Sequence, residues 1–412
     1  MKPLKLKVSL RSLDIKKSLQ ALQLKKQGKA EQGAENEKSA AAAKKEQEKQ
    51  EIKKAAKSKK AHKAKKKPVE TAKITKKIKE IHIPKLSLKK KEEKPVKPIK
   101  TVFLYAGQGS QKVGMGKDFY DKYESYREVV DHAKLPFNWK KLMSEGPLEK
   151  LSQTEYTQPC MSLFAAGVTA VLKEKNILPD GVCGLSLGEY SALYAAGVFD
   201  VKTLIDLTAF RGKAMAEAAK GLSCSMSAIL GMKSEDVEEA CEAVQDKGFV
   251  TVANYNCLGQ YVICGDEPAV AAAEAYLKEK GMRRAVRLNV SGPFHTKYMA
   301  PAGVALKKYF ENLNFGKPKV PVAMNATGDF LKSGENIGEL LTKQVQSSVK
   351  FESDLRKFLE AGAENFIEIG PGNALSGFLK KTAKAMGKEI NVYKVETVED
   401  LEELEKQEVF IA

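Results

Sequence analysis

The sequence predicts an α/β protein built on a mainly parallel sheet with helices on both faces, into which a smaller ferredoxin-like subdomain is inserted. Three observations predict it. Strand-like runs alternate with helical ones from Thr101 onward, which is the order of a parallel sheet. Residues 225 to 290 instead read strand, helix, strand, strand, helix, strand, the split βαβ order. The composition also changes abruptly near residue 98, which confines folding to the residues beyond it.

Residues 1–98 are read as a disordered, Lys-rich basic tail. Residues 1 to 100 hold 33 Lys or Arg against 11 Asp or Glu, so the rest of the 412 residues carry 37 and 41. The net charge of +18 therefore belongs to the tail, and the folded part is mildly acidic. From Lys25 to Lys100 too little apolar surface is present to offset chain entropy. Charge gives no reason to read the folded part as a nucleic-acid binder; nucleic acid, an acidic carrier protein and a membrane surface stay open as partners of the tail alone. Pro95, Pro98 and the switch to Thr101-Val-Phe-Leu-Tyr105 mark where folding begins.

Val102 to Tyr105 read as the first strand, followed by the Gly-rich turn Gly107-Gln-Gly-Ser-Gln111 and by helical stretches, including an apolar one from Cys160 to Lys173. A short strand near Gly181 to Gly184 then breaks abruptly into helix at Gly188. The inserted unit reads as strand Ser225 to Leu230, helix Ser234 to Val244, strands Val250 to Asn254 and Tyr261 to Cys264, helix Glu267 to Lys280 and strand Arg284 to Val290. The larger pattern resumes with strands near Val320 to Asn325 and Asn365 to Ile369. The second ends in Gly370-Pro-Gly372, a loop that lets a backbone approach a ligand. The expected organisation is a large subdomain of 99–222 and 292–395, a small one of 223–291 and a C-terminal segment of 396–412.

Six cysteines without a CxxC pair or nearby histidines suggest neither zinc site nor redox dithiol, and reduced thiols fit a cytosolic compartment. The longest apolar run, Met161 to Leu172, is too short to span a bilayer, and the N-terminus lacks the apolar core of a secretory signal. A cytoplasmic protein without membrane insertion, bound cofactor or metal is expected.

Gly184-Leu-Ser186-Leu-Gly188 fits the G-x-S-x-G elbow. Its glycines allow a strand-to-helix turn sharp enough to expose the serine hydroxyl. A serine needs a base, and histidine is the usual one. Of four histidines, His62 and His82 lie in the tail and His132 in a polar helical stretch. His295 remains, in a post-strand loop after Ser291-Gly-Pro-Phe294. Acyl transfer also needs donors for a tetrahedral oxyanion, each worth roughly 3 to 4 kcal/mol. The Leu187 amide and Gln108, in the turn after the first strand, are the candidates. A dinucleotide reading of that turn fails because Lys112 stands where GxGxxG needs its third glycine.

From Thr101 to about Val395 the chain resembles the malonyl-CoA:acyl carrier protein transacylase family. The resemblance is carried by Tyr105-Ala-Gly-Gln-Gly-Ser-Gln111, Gln153-Thr-Glu-Tyr-Thr-Gln-Pro159, Gly184-Leu-Ser-Leu-Gly-Glu-Tyr190, Arg211-Gly212, Asn254-Tyr-Asn256, Gly292-Pro-Phe-His295 and Glu368-Ile-Gly-Pro-Gly372. It implies an α/β-hydrolase-like large subdomain with Ser186 as nucleophile, His295 as general base and acid, and the amides of Gln108 and Leu187 as oxyanion hole. It further implies Arg211 as partner of a malonyl carboxylate, Asn256 near the substrate, and a backbone carbonyl at Gln344 orienting the base in place of an aspartate. An arginine on the apolar stretch Leu204 to Phe210 suits the carboxylate role, because a planar guanidinium grips a carboxylate bidentately. Two departures are visible. Leu185 stands where the family often has histidine, and the stretch around Gln344 has Ser348 and Phe351 in place of the proline and tryptophan often seen there.

The implied activity is malonyl transfer from malonyl-CoA to the phosphopantetheine thiol of acyl carrier protein, in a ping-pong cycle through a malonyl-serine, supplying fatty-acid synthesis. The partners are then a coenzyme A thioester and acyl carrier protein, with the enzyme a monomer. An esterase or thioesterase shares the elbow but expects an acid between serine and histidine. A basic interaction protein with an idle folded part is the rival of another class.

Overall fold

The computed structural model describes residues 98–289 and 292–410. The expected disorder of the tail, and the end of the predicted strand at Val290, lie outside the described residues. In chain order the strands are β1 (Thr101–Tyr105), β2 (Gly181–Gly184), β3 (Cys224–Leu230), β4 (Val250–Cys257), β5 (Gln260–Asp266), β6 (Arg284–Arg287), β7 (Ala323–Met324), β8 (Asp329–Phe330), β9 (Asn365–Ile369) and β10 (Asn391–Val395). Four short helices, α1 (Lys117–Lys122), α2 (Glu124–Val130), α3 (Trp139–Glu145) and α4 (Leu148–Leu151), lead into α5 (Thr154–Glu174). Then come α6 (Gly188–Ala195), α7 (Val201–Ala219), α8 (Ser234–Ala243), α9 (Glu267–Glu279), α10 (Ala300–Phe310), α11 (Ile337–Gln346), α12 (Phe351–Glu360), α13 (Ala374–Ala385) and α14 (Val398–Glu405).

The larger sheet is parallel throughout, in the order β10-β9-β1-β2. Every residue of β1 is buried, as a strand covered on both faces requires. The period of two sorts its side chains: Phe103 and Tyr105 enter one core with α5 residues such as Leu163 and Phe164, whereas Val102 and Leu104 enter a second with Phe358 of α12 and Leu379 of α13. Helices thus cover both faces, and α5 is buried nearly all round because it lies between the sheet and α7.

The smaller sheet is antiparallel, in the order β4-β5-β3-β6. That is the ferredoxin-like arrangement predicted from the strand and helix order. Its α8 and α9 close a separate core around Ile229, Val237, Val252, Ile263 and Leu277. On the opposite face Met226, Ala228 and Val262 join the large core, so the small sheet becomes one wall of the cleft. The outer edge of β4 is covered by the chain after α11: Tyr255 N donates to Val349 O and Val349 N to Ala253 O, both at 2.9 Å.

Several expectations are corrected. The strand predicted at Val320 to Asn325 is reduced to one parallel bridge, Val322 to Val182, and the two residues of β7. Pro321 has no N–H for a continuous ladder and serves only as acceptor for Val182 N. The helix predicted from Cys160 starts six residues earlier and runs through Pro159; burial of fifteen of its residues outweighs the one lost backbone bond. The last strand of the small sheet ends at Arg287. His132 lies in an exposed turn just past α2. In the C-terminal segment Leu401 and Leu404 of α14 are buried in the large core.

Candidate active site

The adjacent β1 and β2 pair Tyr105 with Gly184, so their following loops leave the same carboxyl edge of the sheet. Such an edge is where open α/β sheets bind ligands. After β2 the chain turns so tightly that a Cβ on Gly184 would lie 2.1 Å from the Gly188 carbonyl carbon. One on Gly188 would lie 2.0 Å from Tyr105 O. Glycine is needed at both positions for close approach. Ser186 takes the strain, with φ of 54°, a left-handed conformation that costs a non-glycine residue of order 1 kcal/mol or more.

His295 also sits at positive φ, 61°, after Gly292-Pro-Phe294, and is buried. Its Nε2 is 2.7 Å from Ser186 Oγ, and its Nδ1 is 2.8 Å from the main-chain oxygen of Gln344. A carbonyl only accepts, so Nδ1 carries the proton and Nε2 presents a lone pair to the serine hydroxyl. Burial, then the nearby Arg211 charge, pushes the imidazole pKa down to about 4 against the opposing pull of the Gln344 carbonyl. The imidazole is neutral at physiological pH and able to accept a proton from the serine.

Gln344, wholly buried on α11, ties the cluster together. Besides its carbonyl on His295, its Nε2 donates to Ser186 O at 2.7 Å and its Oε1 accepts from Arg211 Nη2 at 3.0 Å. Arg211 projects from α7, only 1% exposed, with Nη2 donating to Ser186 Oγ at 3.2 Å and its guanidinium 5.0 Å from the centre of the Tyr190 ring. Its Nε is buried without a partner among the described residues. Burial lowers its pKa, yet a guanidinium stays charged. No carboxylate among the described residues makes an ion pair with it, and burial pushes the carboxyl of the neighbouring Glu189 up to about 8, toward the neutral acid. A buried cation with no carboxylate partner among the described residues, 3.2 Å from a serine hydroxyl, can receive an anionic group.

Gln108 is held by side chains of α5: its Nε2 donates to Thr154 Oγ1 at 3.0 Å and its Oε1 accepts from Gln158 Nε2 at 3.3 Å. Leu187, buried, precedes the first turn of α6. The amides of Gln108 and Leu187 bond no acceptor among the described residues. Asn256 on β4 lines the cleft with its buried Oδ1 unpartnered among the described residues. The cleft, about 170 Å³, is walled by Gln108, Leu185, Met215, Met226 and Phe294, and reaches Ser186, Arg211 and His295. Among the described residues no cluster of His, Cys, Asp or Glu could hold a metal ion.

The structure therefore brings Ser186, His295, Arg211 and Gln344 into one hydrogen-bonded group, with Gln108, Leu187 and Asn256 around it. Sequence reading missed Gln158, although it lies in Gln153-Thr-Glu-Tyr-Thr-Gln-Pro159; a glutamine on an apolar helix was the available signal. It also missed Asn325, for which no local signal exists.

The acyl transferase domain family matches residues 102–405. The malonyl CoA-acyl carrier protein transacylase of Bacillus subtilis is 39% identical over 303 residues, which cover 73% of this chain and 95% of that protein. The protein of the same name from Staphylococcus aureus is 33% identical over 305 residues, 73% of this chain and 97% of its own length. Among solved structures, the Clostridium perfringens malonyl CoA-acyl carrier protein transacylase is similar with a TM-score of 0.71 at 40% identity, covering 74% of this chain and 96% of that one. A malonyl-transacylase in complex with a holo type II PKS acyl-carrier protein is similar with a TM-score of 0.70 at 33% identity, covering 73% and 97%.

Proposed function

This chain belongs to the acyl transferase family, among the malonyl CoA-acyl carrier protein transacylases, and from that premise we propose how it performs malonyl transfer. Ser186 attacks the thioester carbonyl of malonyl-CoA while His295 Nε2 takes its proton. The Gln108 and Leu187 amides receive the oxyanion, and the N-terminus of α6 adds its partial positive charge. Collapse expels coenzyme A, protonated by His295, and leaves malonyl-Ser186. The phosphopantetheine thiol of acyl carrier protein then gives its proton to His295, attacks the ester and leaves as the malonyl thioester, restoring the serine. Arg211 grips the malonyl carboxylate throughout, and Asn256 contacts the acyl group.

The observation that carries this reading is the Arg211 guanidinium, buried, 3.2 Å from Ser186 Oγ and without an ionised partner. A hydrolase of neutral esters has no use for it. Nor does His295 use the acidic third member such enzymes expect, since its Nδ1 donates to a carbonyl. We assign 99–222 with 292–395 to the large subdomain and 223–291 to the small one, and place the enzyme, as a monomer, in the cytoplasm with soluble acyl carrier protein as partner and no bound cofactor. The product would supply extender units for fatty-acid synthesis.

Intact-mass measurement tests the reading. Wild type mixed with malonyl-CoA is expected to gain one malonyl group, Ser186→Ala none, and holo-acyl carrier protein is expected to discharge the adduct. An adduct that persists in Ser186→Ala, or one that the carrier protein leaves in place while water removes it, contradicts the proposal.

A further inference from the structure

The tight turn at Ser186 leaves the Ser186 and Leu187 amides without a main-chain acceptor among the described residues. The Ser186 N–H finds its acceptor 139 residues later, in Asn325 Oδ1 at 2.7 Å. Asn325 is wholly buried, and each of its polar groups is engaged. Its Nδ2 donates to Gly184 O at 2.9 Å, at the end of β2, and to Asp354 Oδ2 of α12 at 2.7 Å. Its main-chain N–H donates to Glu189 Oε2 at 2.6 Å, and its carbonyl accepts from Lys350 N at 2.9 Å. One side chain thus joins the end of the strand before the elbow, the nucleophile itself and the helix behind it, and it does so from outside the substrate cleft.

We infer that Asn325 is a positioning residue for the nucleophile: its side-chain amide fixes the Ser186 peptide so that Oγ meets His295 Nε2 while the Leu187 amide stays uncommitted. The inference rests on Ser186 being the acylated residue. A left-handed serine relaxes unless its surroundings hold it, and Asn325 is the side chain bonded directly to its amide. Two acceptors fix the amide's orientation: Gly184 O and Asp354 Oδ2 both accept from Nδ2, so Oδ1 is the atom left to face the Ser186 N–H. Burial raises the Glu189 and Asp354 carboxyls toward the neutral acid.

The test is the rate and extent of Ser186 acylation by malonyl-CoA, followed by quenched-flow intact mass on the full chain. Wild type, Asn325→Ala and Asn325→Asp are compared. A misplacement of the attacking atom by about 1 Å costs on the order of 10²-fold. Asn325→Ala is therefore expected to reach the full extent of acylation with a rate constant lower by roughly that factor, with KM for malonyl-CoA unchanged. Asn325→Asp keeps an acceptor for the Ser186 amide and loses the donors to Gly184 O and Asp354 Oδ2; it is expected to react at least about tenfold faster than the alanine variant and below the wild-type rate. Should the alanine variant not fold, the aspartate variant decides, its rate constant falling at full extent. A smaller extent at the wild-type rate constant, in either variant, means that Asn325 only keeps the protein folded and overturns the inference. Wild-type rate and extent in either variant overturn it too. Absence of any adduct in wild type overturns the proposed function, and this inference with it.

Discussion

Two buried ionisable regions flank Ser186, and they treat charge in opposite ways. On the cleft side stands a cation, Arg211, bonded to Gln344 and Ser186 and to no carboxylate among the described residues. On the far side stand two carboxyl groups, Glu189 and Asp354, bonded to Asn325, each with one oxygen buried and unpartnered among the described residues. Burial drives both carboxyls toward the neutral acid, whereas a guanidinium cannot shed its charge. The comparison teaches a division of labour. On the proposed mechanism the cleft side keeps a permanent charge for the substrate's carboxylate, and the side that holds Ser186 is built from carboxyls that burial drives toward the neutral acid.

The largest expected effect concerns the base between these regions. His295→Ala removes the proton acceptor 2.7 Å from Ser186 and is expected to slow acylation by roughly 10³- to 10⁴-fold in stopped-flow assays. A loss below tenfold would mean that another group takes the proton. Because the imidazole is held down at about 4, the wild-type acylation rate is expected to stay level from neutral pH to about 5 and to fall only as the pH approaches 4. A rate midpoint near the ordinary histidine value would contradict the burial argument.

The two sides also predict opposite pH dependences of stability. His295 has a folded pKa below its ordinary 6.5, so the unfolded chain binds the extra proton. Stability is then lost as pH falls from about 6.5 to about 4, by on the order of 3 kcal/mol. Glu189 has a folded pKa raised from 4.5 to about 8, so the folded chain holds the extra proton and stability is lost as pH rises through that window. Urea unfolding across pH is expected to show a shallower loss on raising pH from about 4.5 to 8 in Glu189→Gln and a shallower loss on lowering pH from about 6.5 to 4 in His295→Ala, each relative to wild type. Parallel curves for all three proteins would dissolve the contrast.

A smaller effect is expected where the small sheet joins the site. Ser348 Oγ donates to Val252 O at 2.6 Å beside the strap that covers β4. Ser348→Ala is expected to lower stability by about 1 kcal/mol, readable as a drop of a few degrees in Tm. A drop as large as that of a core truncation would give this contact an importance the geometry does not.

These contrasts also explain what the sequence disclosed. Ser186 was legible because its elbow is encoded in five consecutive residues, and the small sheet because its whole strand and helix order is contained in one stretch, residues 225 to 290. His295 was legible by elimination among four histidines. The Gln344 contact came only through the family resemblance, since a main-chain carbonyl leaves no mark on residue identity. Asn325 was read as the end of a strand, and nothing near it announces a partner 139 residues away. β10 escaped because Asn391-Val-Tyr-Lys-Val395 is a half-exposed edge whose pattern follows its pairing with β9.

The central claim, that the unneutralised guanidinium selects the acyl group, is tested most directly by competition. Wild type and Arg211→Ala are each given equal malonyl-CoA and acetyl-CoA, and the adducts on Ser186 are weighed during the first turnover. A malonyl adduct almost alone is expected on wild type. On Arg211→Ala, malonyl acylation is expected to slow by roughly 10²- to 10³-fold and to leave a mixed or predominantly acetyl population. A wild type that takes acetyl as readily, or a variant that keeps its malonyl preference, would contradict the claim.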